Sequence, residues 1–169
     1  MKVGVRLNDV VVIRCTQKLF GRLPASEYSE AVSTTRLGDW CGDLFHVRRT
    51  RVILFISERS RLPVILPARD FGNVVTHLVH ALGQVLDGLP VQAYSIQKEL
   101  DEMQVARFAP TNSRSLLGTM NDFRTQLDWL MHEHPAADFL DLSLMLVEVP
   151  VGPLAYRHPA AVAAELLKS

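Results

Sequence analysis

Cysteine is scarce in this chain: Cys15 and Cys41 are the two copies among 169 residues. Two are too few for a disulfide scaffold, and they lack the spacing of zinc ligands. Long apolar runs are missing as well. The longest fall far short of a membrane span, and Met1–Asn8 carries charge but no apolar stretch before Asp9, as a secretory signal requires. The expected location is therefore the cytoplasm, with reduced thiols and no membrane contact. An excess of one charge is also absent, since 18 basic residues balance 18 acidic ones. That argues against non-specific nucleic-acid binding, which needs a basic excess or at least a basic patch. Phosphate-loop, Gly-x-Ser-x-Gly and His-Glu-x-x-His patterns do not occur, nor do repeats or interdomain linkers. No cofactor is implied, and whether the chain is an enzyme stays open.

What remains is ordinary globular material, 48% hydrophobic and 21% charged. A chain of this length can bury a core without metal or disulfide help, so one domain over residues 1–169 is expected, with 1–9 as an N-terminal extension. Val10–Arg14 reads as a strand and Gln17–Phe20 as a helical turn. Ala25–Arg36 reads as a long loop with one turn around Glu27–Val32. Asp39–Val47, Val52–Ser57 and Leu62–Leu66 form a meander joined by arginine-bearing turns. Helices follow over 70–87 and 91–103, then a strand over 104–109, then helices over 114–132, 136–147 and 160–168. The expected fold class is α+β, a mostly antiparallel sheet of about five strands with helices packed on one face.

The densest run of specific polar side chains is Thr111–Phe123, at the start of helix 114–132. Asn112 or Ser113 suits the N-cap. Leu116, Met120, Phe123, Leu127 and Leu130 recur at helical spacing and form a core face. Arg114, Gly118 and Asn121 share another face, with Ser115 and Asp122 beside them. Gly118 costs about 1 kcal/mol relative to alanine inside a helix, so it asks for a close backbone approach or a ligand opening. This surface is either a polar pocket, with Arg114 as an anion fork at the helix N-terminus, or a network docking the helix.

The candidate ligand-binding residues are Arg114, Ser115, Asn121, Asp122, Asn112, Asp39, Trp40, Arg14 and Lys18. Asp39 supplies a carboxylate and Trp40 a stacking surface. Candidate catalytic groups are Asp39, Asp122 and Cys15, whose neighbours Arg14 and Lys18 favour a thiolate. His77 and His80 are one helical turn apart without a third ligand, and His132-Glu133-His134 closes a helix; no metal site is assigned to either.

The stretch resembles the signature of an uncharacterised bacterial domain-of-unknown-function family, DUF6933. That signature reads Asn-Arg-Ser-x-x-Gly-x-Met-Asn-Asp-Phe. Here Asn112-Ser113-Arg114-Ser115 carries an extra serine between asparagine and arginine. Ile13–Leu19, Leu37–Trp40 and Pro150–Leu154 also match, so the resemblance covers about residues 10–167. It implies bacterial origin and one compact domain, without a named activity. The leading expectation is a module that binds a small anionic ligand or a protein partner, including a second copy of itself. The alternatives are an enzyme acting on a phosphate-bearing or nucleotide substrate, with or without a metal, and a nucleic-acid-binding, toxin–antitoxin or defence-associated protein.

Overall fold

The structure, a computed structural model, describes residues 9–23 and 31–168. Strand β1 (Val11–Cys15) leads into a single turn, α1 (Gln17–Phe20). Strands β2 (Trp40–Val47), β3 (Thr50–Ser57) and β4 (Pro63–Pro67) follow. Then come α2 (Val74–Asp87), α3 (Ala93–Glu102), β5 (Ala106–Pro110), α4 (Arg114–Glu133), α5 (Phe139–Leu146) and α6 (Pro159–Lys168). The expected helical turn around Glu27–Val32 falls mainly on residues 24–30, outside the described ones, as does most of the N-terminal extension.

The strand order is β4-β3-β2-β1-β5. β2, β3 and β4 pair antiparallel, as the meander requires, whereas β1 pairs parallel with both β2 and β5. The sheet is thus mixed, which corrects the expectation of a mostly antiparallel one. The physical reason lies in the connections. Residues 16–39 carry the chain across from β1 to β2, and α2 and α3 carry it from β4 to the opposite edge beside β1. Parallel neighbours need crossovers of this length, whereas a tight turn makes only antiparallel ones.

Helices cover both faces of the sheet, a second correction. On one face Val11, Ile13, Leu44, Ile53, Phe55 and Val64 pack against α2, α3 and α6, with Leu78, Leu82, Ile96 and Ala163 facing them. On the other, Cys41, Phe45, Val52, Leu54, Ile56 and Ile65 pack against α4 and α5. Alternate residues of each strand point to opposite faces, so β3 and β4 must be apolar at nearly every position to satisfy both layers. Residues 52–56 and 64–66 are.

The stripe read on α4 is present: Leu116, Met120, Phe123, Leu127 and Leu130 are all buried against the sheet. Ser113 is the N-cap, its side chain accepting from Leu116 N–H at 3.2 Å. Docked this way, α4 starts directly after β5, above the row where Arg14 of β1 lies beside Cys41 of β2. Among the described residues, no helix is long and apolar enough to cross a membrane.

Candidate functional site

The site begins with the chain leading into β2. Thr35 donates to the carbonyl of Gly38 at 2.9 Å, closing a tight turn. Gly38 has φ of +78°, a conformation side chains rarely adopt, and a Cβ there would meet Glu58 Oε2 at 2.9 Å. The turn is held from below by Glu99 of α3. This carboxylate is 1% exposed and accepts from the backbone N–H groups of Arg36 at 2.9 Å and Leu37 at 3.0 Å. Burial pushes the Glu99 carboxyl above its ordinary pKa, and the two N–H donors partly counter that. Nothing in the local sequence points to Glu99; its partners lie more than sixty positions away.

So held, the loop delivers Asp39 to Arg14. Arg14 Nε donates to Asp39 Oδ2 at 2.9 Å, and Nη1 donates to the carbonyl of Pro110 at 3.4 Å. Ser33 Oγ donates to Asp39 Oδ1 at 2.7 Å and accepts from Val12 N–H at 2.8 Å. Arg14 and Asp39 are thereby spent on joining β1, β5 and the loop. The Asp39 N–H donates in turn to Glu58 Oε2 at 3.1 Å, which fixes Glu58 just past the end of β3.

The turn from β3 to β4 supplies the remaining cation. Ser57 and Ser60 are fully buried. Ser57 Oγ donates to the Leu37 carbonyl at 2.7 Å and lies 2.8 Å from Ser60 Oγ, while Leu62 N–H donates to Ser60 Oγ at 3.2 Å. These bonds hold Arg61 at φ +58°, a left-handed conformation that costs a non-glycine residue on the order of 1–2 kcal/mol. Its guanidinium reaches the first turn of α4, where Nη2 donates to Ser115 Oγ at 3.0 Å. The other two nitrogens, Nε and Nη1, are buried and have no hydrogen-bond partner among the described residues. Burial lowers the Arg61 pKa from its ordinary value, and Glu58 opposes the shift.

Between these elements lies a cavity of about 210 Å³. Arg14, Asp39, Glu58 and Arg61 line it, and Asn112, Ser113 and Leu116 of the α4 entry cover it. Arg14 and Asp39 neutralise each other, which leaves one under-partnered guanidinium, the single carboxylate Glu58 and the positive end of a long helix. The arrangement can accept an anionic group on Arg61.

The structure thus brings together Arg14, Asp39, Trp40 and Asn112 from the sequence candidates, with Ser115 bonded to Arg61 at the border. Trp40 is fully buried among the core residues, and its indole N–H lacks an acceptor among the described residues. Arg114, Asn121 and Asp122 lie exposed on α4. Asp122 borders a separate depression with Thr119, Gln126 and Val149–Val151. Lys18 lines another depression, with Phe45 and Arg124. Cys15 packs in the core, and burial pushes its thiol up to about 12. Cys41 lines the cavity and is pushed to the same range, first by burial and then by Asp43, so both thiols keep their protons at neutral pH. His77 Nε2 meets Asp70 Oδ2 at 3.0 Å, and no group of three or more metal-binding side chains forms among the described residues.

Arg61 was missed because its turn reads as solvated surface charge; in the fold it is half-buried, with α4 packed beside it. The family model described as Domain of unknown function (DUF6933) matches residues 12–162. The chain belongs to the DUF6933 family. That match takes in Arg14, Asp39, Glu58, Arg61 and the start of α4, hence the whole DUF6933 cavity. Comparison with curated proteins gives no match.

Gly118 is resolved by geometry. It is exposed, and a Cβ placed there meets nothing within 4 Å. No neighbouring backbone explains the glycine in this DUF6933 helix. Gly118→Ala is expected to stabilise the protein by up to about 1 kcal/mol, measured as a higher urea midpoint at unchanged slope. A loss of stability would mean that something does pack there.

Proposed function

We propose that this DUF6933 protein is a binding module for a small anionic ligand, held on Arg61 beneath the N-terminus of α4. One observation carries the reading: two of the three guanidinium nitrogens of Arg61 are buried in a cavity without partners among the described residues. A buried polar group without a hydrogen bond is costly, and more so when charged. An anion in the cavity relieves that cost, and the helix N-terminus adds to its attraction. Arg14, Asp39 and Ser113 of the wall are already paired within the protein, so they serve as a rigid frame. A cytoplasmic setting suits the two protonated, unbridged thiols.

The test is calorimetric titration of the wild type and Arg61→Gln with acetate, phosphate and small organic carboxylates. A charge-assisted hydrogen bond contributes about 1.5–3 kcal/mol, so the variant should bind at least about tenfold more weakly. Equal affinities in the two proteins would remove Arg61 from the site.

A second reading, an enzyme acting on a phosphate-bearing or nucleotide substrate, draws on Glu58. This carboxylate lines the same cavity and is fixed through one oxygen by the Asp39 N–H. It stands where a base would face a ligand bound to Arg61. Turnover abolished by Glu58→Gln, with ligand affinity retained, would favour it.

A further inference from the structure

β1 ends at Cys15, opposite Gly42, while β2 runs on to Val47. The second half of β2 therefore has no β1 partner, and the chain turns away into α1. The gap is a depression of about 410 Å³ lined by Lys18, Leu44, Phe45, His46, Arg51 and Arg124. Its three permanent cations come from three separate elements: Lys18 from α1, Arg51 from β3 and Arg124 from α4. Arg51 is placed by its pairing with His46, and the Arg124 guanidinium sits over the Phe45 ring at 4.9 Å from the centroid.

None of the three belongs to an ion pair among the described residues. Asp122, two positions before Arg124, borders a different depression, and two other nearby acids are engaged elsewhere. Asp43 accepts from Thr16 Oγ1 at 2.6 Å and from its neighbour Leu44 N–H at 2.8 Å, and Asp128 pairs with Arg48 at 3.4 Å. A chain with zero net charge has thus gathered three uncompensated cations around one concave surface. Such clustering raises the local potential and draws in counter-charge.

We infer that this depression is a second, separate anion site, and that its ligand carries a diphosphate group. A lone carboxylate would neutralise one cation and leave two facing each other. A diphosphate supplies about as much negative charge as the three cations carry, and several oxygens that accept charge-assisted hydrogen bonds. A nucleic-acid backbone needs a basic stripe. The other arginine-rich turn, with Arg59 and Arg61, lies at the opposite end of the meander, because β2, β3 and β4 are antiparallel.

The experiment is titration of the whole chain with pyrophosphate, orthophosphate and sulfate near physiological ionic strength, where diffuse charge effects are screened. Pyrophosphate should bind the wild type more tightly than either smaller anion. Arg51→Gln and Lys18→Gln should each weaken it by about tenfold or more. Both side chains lie at the surface or partly so, so these variants should fold, which circular dichroism checks. Arg51→Gln should weaken pyrophosphate binding by the same factor in an Arg61→Gln background as in the wild type, which separates this site from the cavity beneath α4. The inference is overturned if pyrophosphate binds no better than sulfate, if Arg61→Gln abolishes binding while Arg51→Gln does not, or if an oligonucleotide binds and pyrophosphate fails to displace it.

Discussion

Glu99→Ala is expected to lower stability by about 3 kcal/mol. The loss comes from two backbone N–H groups, of Arg36 and Leu37, that donate to the Glu99 oxygens in a site 1% exposed. Each buried donor left without a partner costs about 1–3 kcal/mol. Urea denaturation of the variant measures the sum. A loss below about 1 kcal/mol would mean that other groups, or solvent, take over both donors.

The same carboxyl gives the protein a pH dependence of known sign. Its folded pKa lies above its unfolded one, so between the two values the folded state holds more protons. Stability from this group is then greatest below the ordinary carboxylate range and falls as pH rises through the folded value. Glu99→Gln does not titrate there. The stability difference between wild type and Glu99→Gln should therefore shrink as pH rises through that window. A difference that grew instead would show that the N–H donors outweigh burial.

Phe123→Ala should cost about 3–5 kcal/mol, the range for removing a buried phenylalanine. Phe123 is 1% exposed and sits mid-way along the stripe that docks α4 on the sheet. The same stripe carries Leu116, which covers the cavity, so loss of Phe123 should also loosen the roof over Arg61. Thermal or urea melts give the stability change. A cost under about 1 kcal/mol would mean that α4 is not anchored through this face.

That stripe was legible in the sequence because its information is local. Five apolar residues at helical spacing after a capping serine specify a helix and its buried face without reference to the rest of the chain. The strands of the meander were legible for the same reason, being short apolar runs separated by charged turns. The parallel pairing of β1 was not legible. It depends on where two long crossovers bring the chain back, which no local pattern records. The uninterrupted apolar runs at 52–56 and 64–66 did hold the sign of a sheet covered on both faces, since a one-sided sheet would alternate.

The site divides along the same line. Arg14, Asp39 and Trp40 stand out as polar or aromatic residues at strand ends and Asn112 as a polar residue at a helix start, and the structure gathers them around one cavity. Arg61 and Glu99 did not stand out. Their character comes from burial: one by a helix fifty positions further on, the other by a loop from before β2. A charged residue in a turn reads as solvated until its tertiary neighbours are known.

The central claim is that Arg61 holds the anion. The most direct test is a proton–nitrogen correlation spectrum of the arginine Nε–H groups during titration with acetate or phosphate, the Arg61 signal being assigned by its loss in Arg61→Lys. The account predicts that the Arg61 signal moves with the ligand and exchanges more slowly with water once the site is filled. A saturable titration that moves other arginine signals and leaves Arg61 in place would contradict it.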